Sequence, residues 1–159
     1  LVTATEQADT LTWTWTEEFG TNGTEFCNGL VARPSTGVVF AAGSTSGALD
    51  GSSTFGGSVS MFLASLDSNN DWTVVQAGEQ GTDFWANALA IDVDGSLLTA
   101  GTRAPGNGAA STLYVMKHSS SRTLLWNQQF GSNGVNGESI AVSESSDVYV
   151  AGSTSIALD

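Results

Sequence analysis

Residues 38–50 read VVFAAGSTSGALD, and residues 148–159 read VYVAGSTSIALD. A degraded third version, LLTAGTRAPGNGA, occupies residues 97–109. Each carries a run of β-branched or large apolar residues into an Ala-Gly pair, and hydroxyl residues follow. Self-similarity of this kind decides an architecture before local propensity does, because a repeated unit buries its face against a copy of itself.

The pattern extends outward from the glycine of each copy. Gly43, Gly101 and Gly152 serve as anchors, 58 and 51 residues apart. Ala42, Ala100 and Ala151 precede them, and Phe40, Leu98 and Tyr149 stand three residues before. Val31, Leu89 and Ile140 stand twelve before. Upstream lie Gly-punctuated connectors: FGTNGTEFCNG (residues 19–29), AGEQGTDFWAN (77–87) and FGSNGVNGES (130–139). Short apolar strands follow, ending at Ala32, Ile91 and Val142, and the polar turns RPSTG, DVDGS and SESSD lead into the anchor stretch. That stretch is predicted to be a second strand ending on its glycine. Ser60–Asp67 and Thr112–His118 read as third strands, and fourth strands contain Trp72 and Trp126. LTWTWT at 11–16 alternates strictly, which is the period of a half-buried strand. No segment shows a helical period. The expected organisation is one repeat array: residues 10–18 close a preceding blade, 19–77 and 78–130 are full blades, and 131–159 begin a third.

Four-stranded antiparallel units repeated every ~50–60 residues point to an all-β, propeller-like fold, here an incomplete ring. A β-solenoid is the competitor, but its coils run shorter, at ~20–30 residues. The recurrent alanine fits strands near a crowded axis. The pattern G-x-x-G-x-[DE]-F, then a strand, a turn and V-[VY]-[FV]-A-G-S-T, resembles the seven-bladed β-propeller repeat family over most of Phe19–Asp159. The resemblance is weakest in the middle copy, where Arg103 interrupts it. It implies tandem repeats of a large secreted or cell-surface protein acting as a scaffold or binding module, and it transfers no catalytic residues. Three blades do not close a ring that takes ~4–8. The expectation is therefore a part of a longer protein, or open edges completed by other chains.

Composition narrows the partners. Four Lys+Arg against 16 Asp+Glu give a net charge of −12. Such a field repels phosphate backbones and anionic membrane surfaces, so nucleic acid is excluded as a partner. No apolar run approaches the ~20 residues of a membrane helix. The chain starts at Leu1, which suggests a processed or partial N-terminus. Cys27 is the lone cysteine. It opens a buried-looking strand and reads as an inert core thiol.

Candidate sites are few. Asp92-Val93-Asp94-Gly95 resembles the start of a calcium loop, yet calcium needs more oxygens than two carboxylates give, and Asp-Gly is itself a hairpin signal. Glu25 and Asp83, with Asn136, read as one recurring connector position whose oxygens cap backbone N–H groups or bind a cation on one rim. His118, the single histidine, reads as a surface residue without triad partners. Trp85 is placed in a connector, and Trp15, Trp72 and Trp126 between blades. Asn22-Gly23-Thr24 is a glycosylation sequon on an expected surface loop. The expected function is a non-enzymatic extracellular scaffold or interaction module, in one form a structural subunit of a filament that self-assembles through open edges. The alternative is a propeller binding carbohydrate or calcium.

Overall fold

A computed structural model of the chain describes residues 2–7, 10–16, 18–49, 51, 58–67, 69, 71–106, 109–131 and 134–155, the first two segments as backbone. The side chains of Trp13 and Trp15, the loop 52–57 and the closing echo 157–159 lie outside the described residues. Twelve strands run in order among the described residues: β1 Val2–Gln7, β2 Thr10–Thr16, β3 Glu25–Ala32, β4 Val39–Thr45, β5 Ser60–Leu66, β6 Trp72–Ala77, β7 Thr82–Ile91, β8 Leu97–Pro105, β9 Thr112–His118, β10 Leu124–Phe130, β11 Val135–Val142 and β12 Val148–Thr154. There is no helix among them.

β3-β4-β5-β6 and β7-β8-β9-β10 are four-stranded antiparallel meanders, preceded in the chain by the pair β1-β2 and followed by the pair β11-β12. This is the expected all-β, incomplete propeller-like architecture. β1 is the strand sequence reading missed. Its residues VTATEQ alternate only small and polar side chains, so its pairing with β2 specifies it rather than any hydrophobic period.

The units stack face to face. Phe40, Met61 and Leu63 of the first meander meet Phe84, Leu97 and Tyr114 of the second in one buried cluster. Leu98, Leu113 and Val115 on the far side of the second meander are covered by Val135, Ile140 and Val150. The first strands β3, β7 and β11 pack in succession, each against the next. The crowded inner position therefore belongs to these strands rather than to the alanine strand. Ala42 and Ala100 are buried one strand further out, and Ala151 is exposed.

The anchor glycines have a different cause from the one expected. β4, β8 and β12 run on past Gly43, Gly101 and Gly152, so the glycine does not end the strand. Each instead faces a bulge in the first strand of its unit. Pairing skips Asn28, Asn87 and Glu138, which stand unpaired between successive partners. Such a bulge re-aims the backbone around the extra residue. Here it tips a carbonyl onto the glycine opposite, and a methyl group there would overlap the oxygens of Phe26, Trp85 and Asn136 respectively.

Strand register also corrects the offsets. Leu30, Leu89 and Ile140 are true counterparts, because each lies opposite the residue two before its anchor. The turn after β3 is one residue longer than the others, which shifts Val31 out of line. By the same register Glu25 matches Phe84 and Val135, so Glu25, Asp83 and Asn136 do not share one position.

Candidate functional site

The polar residues singled out above gather at two edges of the stack. At one, the turn between the first two strands of each unit meets the turn of the next. In the second unit, Asp92 N–H donates to Ser96 O at 2.8 Å and Gly95 N–H to Asp92 O at 2.9 Å, closing a tight turn. Gly95 takes the left-handed φ of +79° that this turn needs. The Asp94 carboxylate accepts from Ser96 N–H at 2.7 Å, which holds its pKa below the ordinary carboxylate value.

Lys117 answers both carboxylates, with Nζ 2.6 Å from Asp92 Oδ2 and 3.3 Å from Asp94 Oδ2. The position that would suit a calcium ion thus holds an ammonium. Asp92 is buried, and Ser146 Oγ of the following turn donates to its Oδ1 at 2.7 Å. The Lys117 ammonium, then the Ser146 hydroxyl, lower the pKa of Asp92, and Asp92 raises that of Lys117. Arg33, at the same place in the first unit, donates to Gly95 O at 2.6 Å. Arg33, Pro34, Thr36, Asp92 and Val93 line an open cleft of about 540 Å³ between the two turns.

Lys117→Met leaves the buried Asp92 carboxylate without its cation. Urea denaturation at neutral pH is expected to show a loss of about 3 kcal/mol. The folded pKa of Asp92 is depressed, so the stability that the pair contributes is complete above the unfolded value of 3.8 and fades as pH falls through the lower folded value. The deficit of the variant therefore shrinks in acid. A deficit independent of pH would contradict this role for Asp92.

At the other edge the connectors enter the first strands. Thr21 Oγ1 and Thr45 Oγ1 donate to Glu25 Oε1 at 2.6 and 2.9 Å, and Thr21 above all lowers the pKa of Glu25. Asp83 Oδ1 accepts from the backbone N–H of Ser58 and Val59 at 2.5 and 2.8 Å, so it ties the second unit to the first. Asn136 Oδ1 accepts from Ser111 Oγ at 3.3 Å. Asn22 lies exposed on a bend between Thr21 and Gly23. Among the described residues, no three His, Cys, Asp or Glu side chains gather as a metal-binding group.

The remaining candidates move. His118 is buried, with its Nδ1 inside the protein, and burial lowers its pKa. It ends β9 on the face that carries Tyr114 and Met116, which explains its burial. Cys27 is exposed rather than in the core. Its counterpart Ala86 is covered by the preceding unit, whereas no described unit covers Cys27. Partial desolvation of its sulfur raises the thiol pKa, opposite to what a nucleophile needs. Trp85 lies half-buried in β7, not in a connector. Trp72 packs on Phe19 with ring centroids 4.6 Å apart, and Trp126 is partly exposed beside Val148 and Val150.

The bulge residues were missed, although they carry the most regular contact between units. Asn28 Nδ2 donates to Ala86 O at 3.0 Å, and Asn87 Nδ2 donates to Gly137 O at 2.7 Å. Their signal was available four residues before the end of each first strand, hidden by an alignment drawn from the glycines.

The turns, the bulges and the connector residues Asp83 and Asn136 join one unit to the next, whereas Glu25 bonds within its own. Residues 125–158 match the family model of a β-propeller repeat, which spans most of β10 and all of β11 and β12. No curated protein matches the chain.

Proposed function

We propose that this chain of propeller repeats is a non-enzymatic scaffold module of an extracellular or cell-surface protein, whose open faces take further blades or other chains. A ring of seven such blades, or a filament in which neighbouring chains complete one another, is the assembled form. The open faces carry this reading. Tyr149 is 61% exposed, whereas its counterparts Phe40 and Leu98 are 1% and 0% exposed between units. Trp126 and Phe130 stand partly uncovered in a cleft that they line with Val148 and Val150. On the first unit Leu30 is 51% exposed where its counterpart Leu89 is buried. Apolar area of this kind is characteristic of an interaction surface.

Exposure of Asn22 suits glycosylation of a secreted protein. A carbohydrate or calcium ligand on the acidic edge has less support, because Glu25 and Asp83 spend oxygens on hydroxyl and backbone donors and Lys117 answers Asp92 and Asp94.

Sedimentation velocity over a rising concentration series tests the module. Reversible association is expected, weakened about tenfold by Tyr149→Asp, as for loss of an aromatic anchor. A monomer at every concentration, indifferent to that substitution, would overturn it.

A further inference from the structure

The bulge in each first strand holds one side chain that reaches toward the next unit. In the first two units it is asparagine, and its amide donates to a backbone carbonyl: Asn28 to Ala86 O at 3.0 Å and Asn87 to Gly137 O at 2.7 Å. Both acceptors hold the same place, the residue before the bulge and opposite the anchor glycine. In the third unit the bulge residue is Glu138. Asn87 also lies 3.3 Å from the hydroxyl of Thr102, and Glu138 accepts from Ser153, the counterpart of Thr102, at 3.1 Å. The carboxylate is therefore placed as the Asn87 amide is, but a carboxylate accepts and does not donate.

We propose that Glu138 makes the open face of the third unit selective for a partner blade that brings a hydrogen-bond donor, a basic side chain, to this point. It disfavours a blade that brings a carbonyl. The inference rests on the reading of this face as an interaction surface and names the chemistry of its partner. Continuity with the two existing interfaces places the group, and charge decides its partner. A carboxylate pressed against a carbonyl loses water without gaining a hydrogen bond, whereas a cation satisfies it. A second copy of the chain meets this face only weakly. Its first unit would present the Cys27 carbonyl, the counterpart of Ala86 and Gly137. Its four Lys and Arg residues also have partners elsewhere. Arg33 is bound to Gly95, Arg103 to Glu79, Lys117 to Asp92 and Arg122 to Ser65, and these are all four of the chain's Lys and Arg residues.

The test uses the full chain as its own probe, in sedimentation equilibrium. Glu138→Asn restores the donor and is expected to tighten association of copies about tenfold, the value of one recovered hydrogen bond at an interface. Glu138→Lys, which also donates, should tighten it as well. Glu138→Ala, which removes the charge without adding a donor, and Glu144→Asn, which removes a charge on the neighbouring turn, should fall well short. Thermal melts establish that each variant is folded. Equal effects of Asn, Ala and the Glu144 control, or no effect of any, would overturn the inference. Tyr149→Asp separates the two levels. If it weakens association while the Glu138 series stays flat, only the role of Glu138 fails. If association ignores Tyr149 in every variant, the interaction surface itself fails.

Discussion

Gly101→Ala is expected to destabilise the chain by at least about 3 kcal/mol, the upper range for forcing atoms into a packed site. The new methyl group would overlap the Trp85 carbonyl oxygen and come within 2.9 Å of the Tyr114 hydroxyl, both fixed within the stack. Tyr114 cannot yield easily, because it is fully buried and its hydroxyl contacts Met61 Sδ at 3.5 Å across the unit boundary. Gly37→Ala is the control. Gly37 has a φ of +71° and nothing within 4 Å of the added carbon, so the loss there is about 1 kcal/mol of backbone strain. Urea denaturation of the two variants should separate them clearly. Similar losses would mean that the bulge carbonyl moves aside, contrary to a rigid role for the anchor.

Leu89→Ala is expected to cost about 3 kcal/mol, and Leu30→Ala no more than about 0.5 kcal/mol. The two leucines hold the same position in successive units, opposite Thr99 and Ala41. Leu89 is 8% exposed in the cluster between the first and second units, and Leu30 is 51% exposed. Identical chemistry at equivalent sites therefore differs only in whether a preceding unit covers it. Thermal or urea melts measure both, and comparable losses would contradict the stacking order. In a larger assembly that covers the first unit, the Leu30 substitution should grow toward the Leu89 value.

Much of this fold was legible because repetition amplifies weak signals. A single short strand such as Ser60–Leu66 is ambiguous, but its recurrence as Thr112–His118, in the same order after a shared glycine and a small-residue loop, is not. The anchor glycines, the paired meanders and the lack of helix all followed from that repetition. What escaped notice depended on register. The bulges at Asn28, Asn87 and Glu138 are visible only once strands are paired, since they are defined by a missing partner. The connector acids looked equivalent because the glycines around them align, yet the strands slide by one residue between copies. His118 and Cys27 exchanged places relative to expectation for a related reason. Burial here depends on which neighbouring unit faces a residue, and a strand's own sequence does not contain that information. The edge residues Asp92 and Asp94 were readable as a turn, but their neutralisation by Lys117 comes from a strand 23 or more residues away.

The asparagine contacts between units also run in one direction. Asn28 waits for a carbonyl in β7, and Asn87 for one in β11, each supplied by chain that is synthesised later. On a ribosome each of the first two units would emerge with its amide unanswered and become fully locked only when its successor arrives. Maturation of the array would then travel behind synthesis by one blade, and the newest blade would always be the least ordered. A pause after residue 130 should therefore expose Asn87 and the Leu98 face of the second unit to chaperones and proteases.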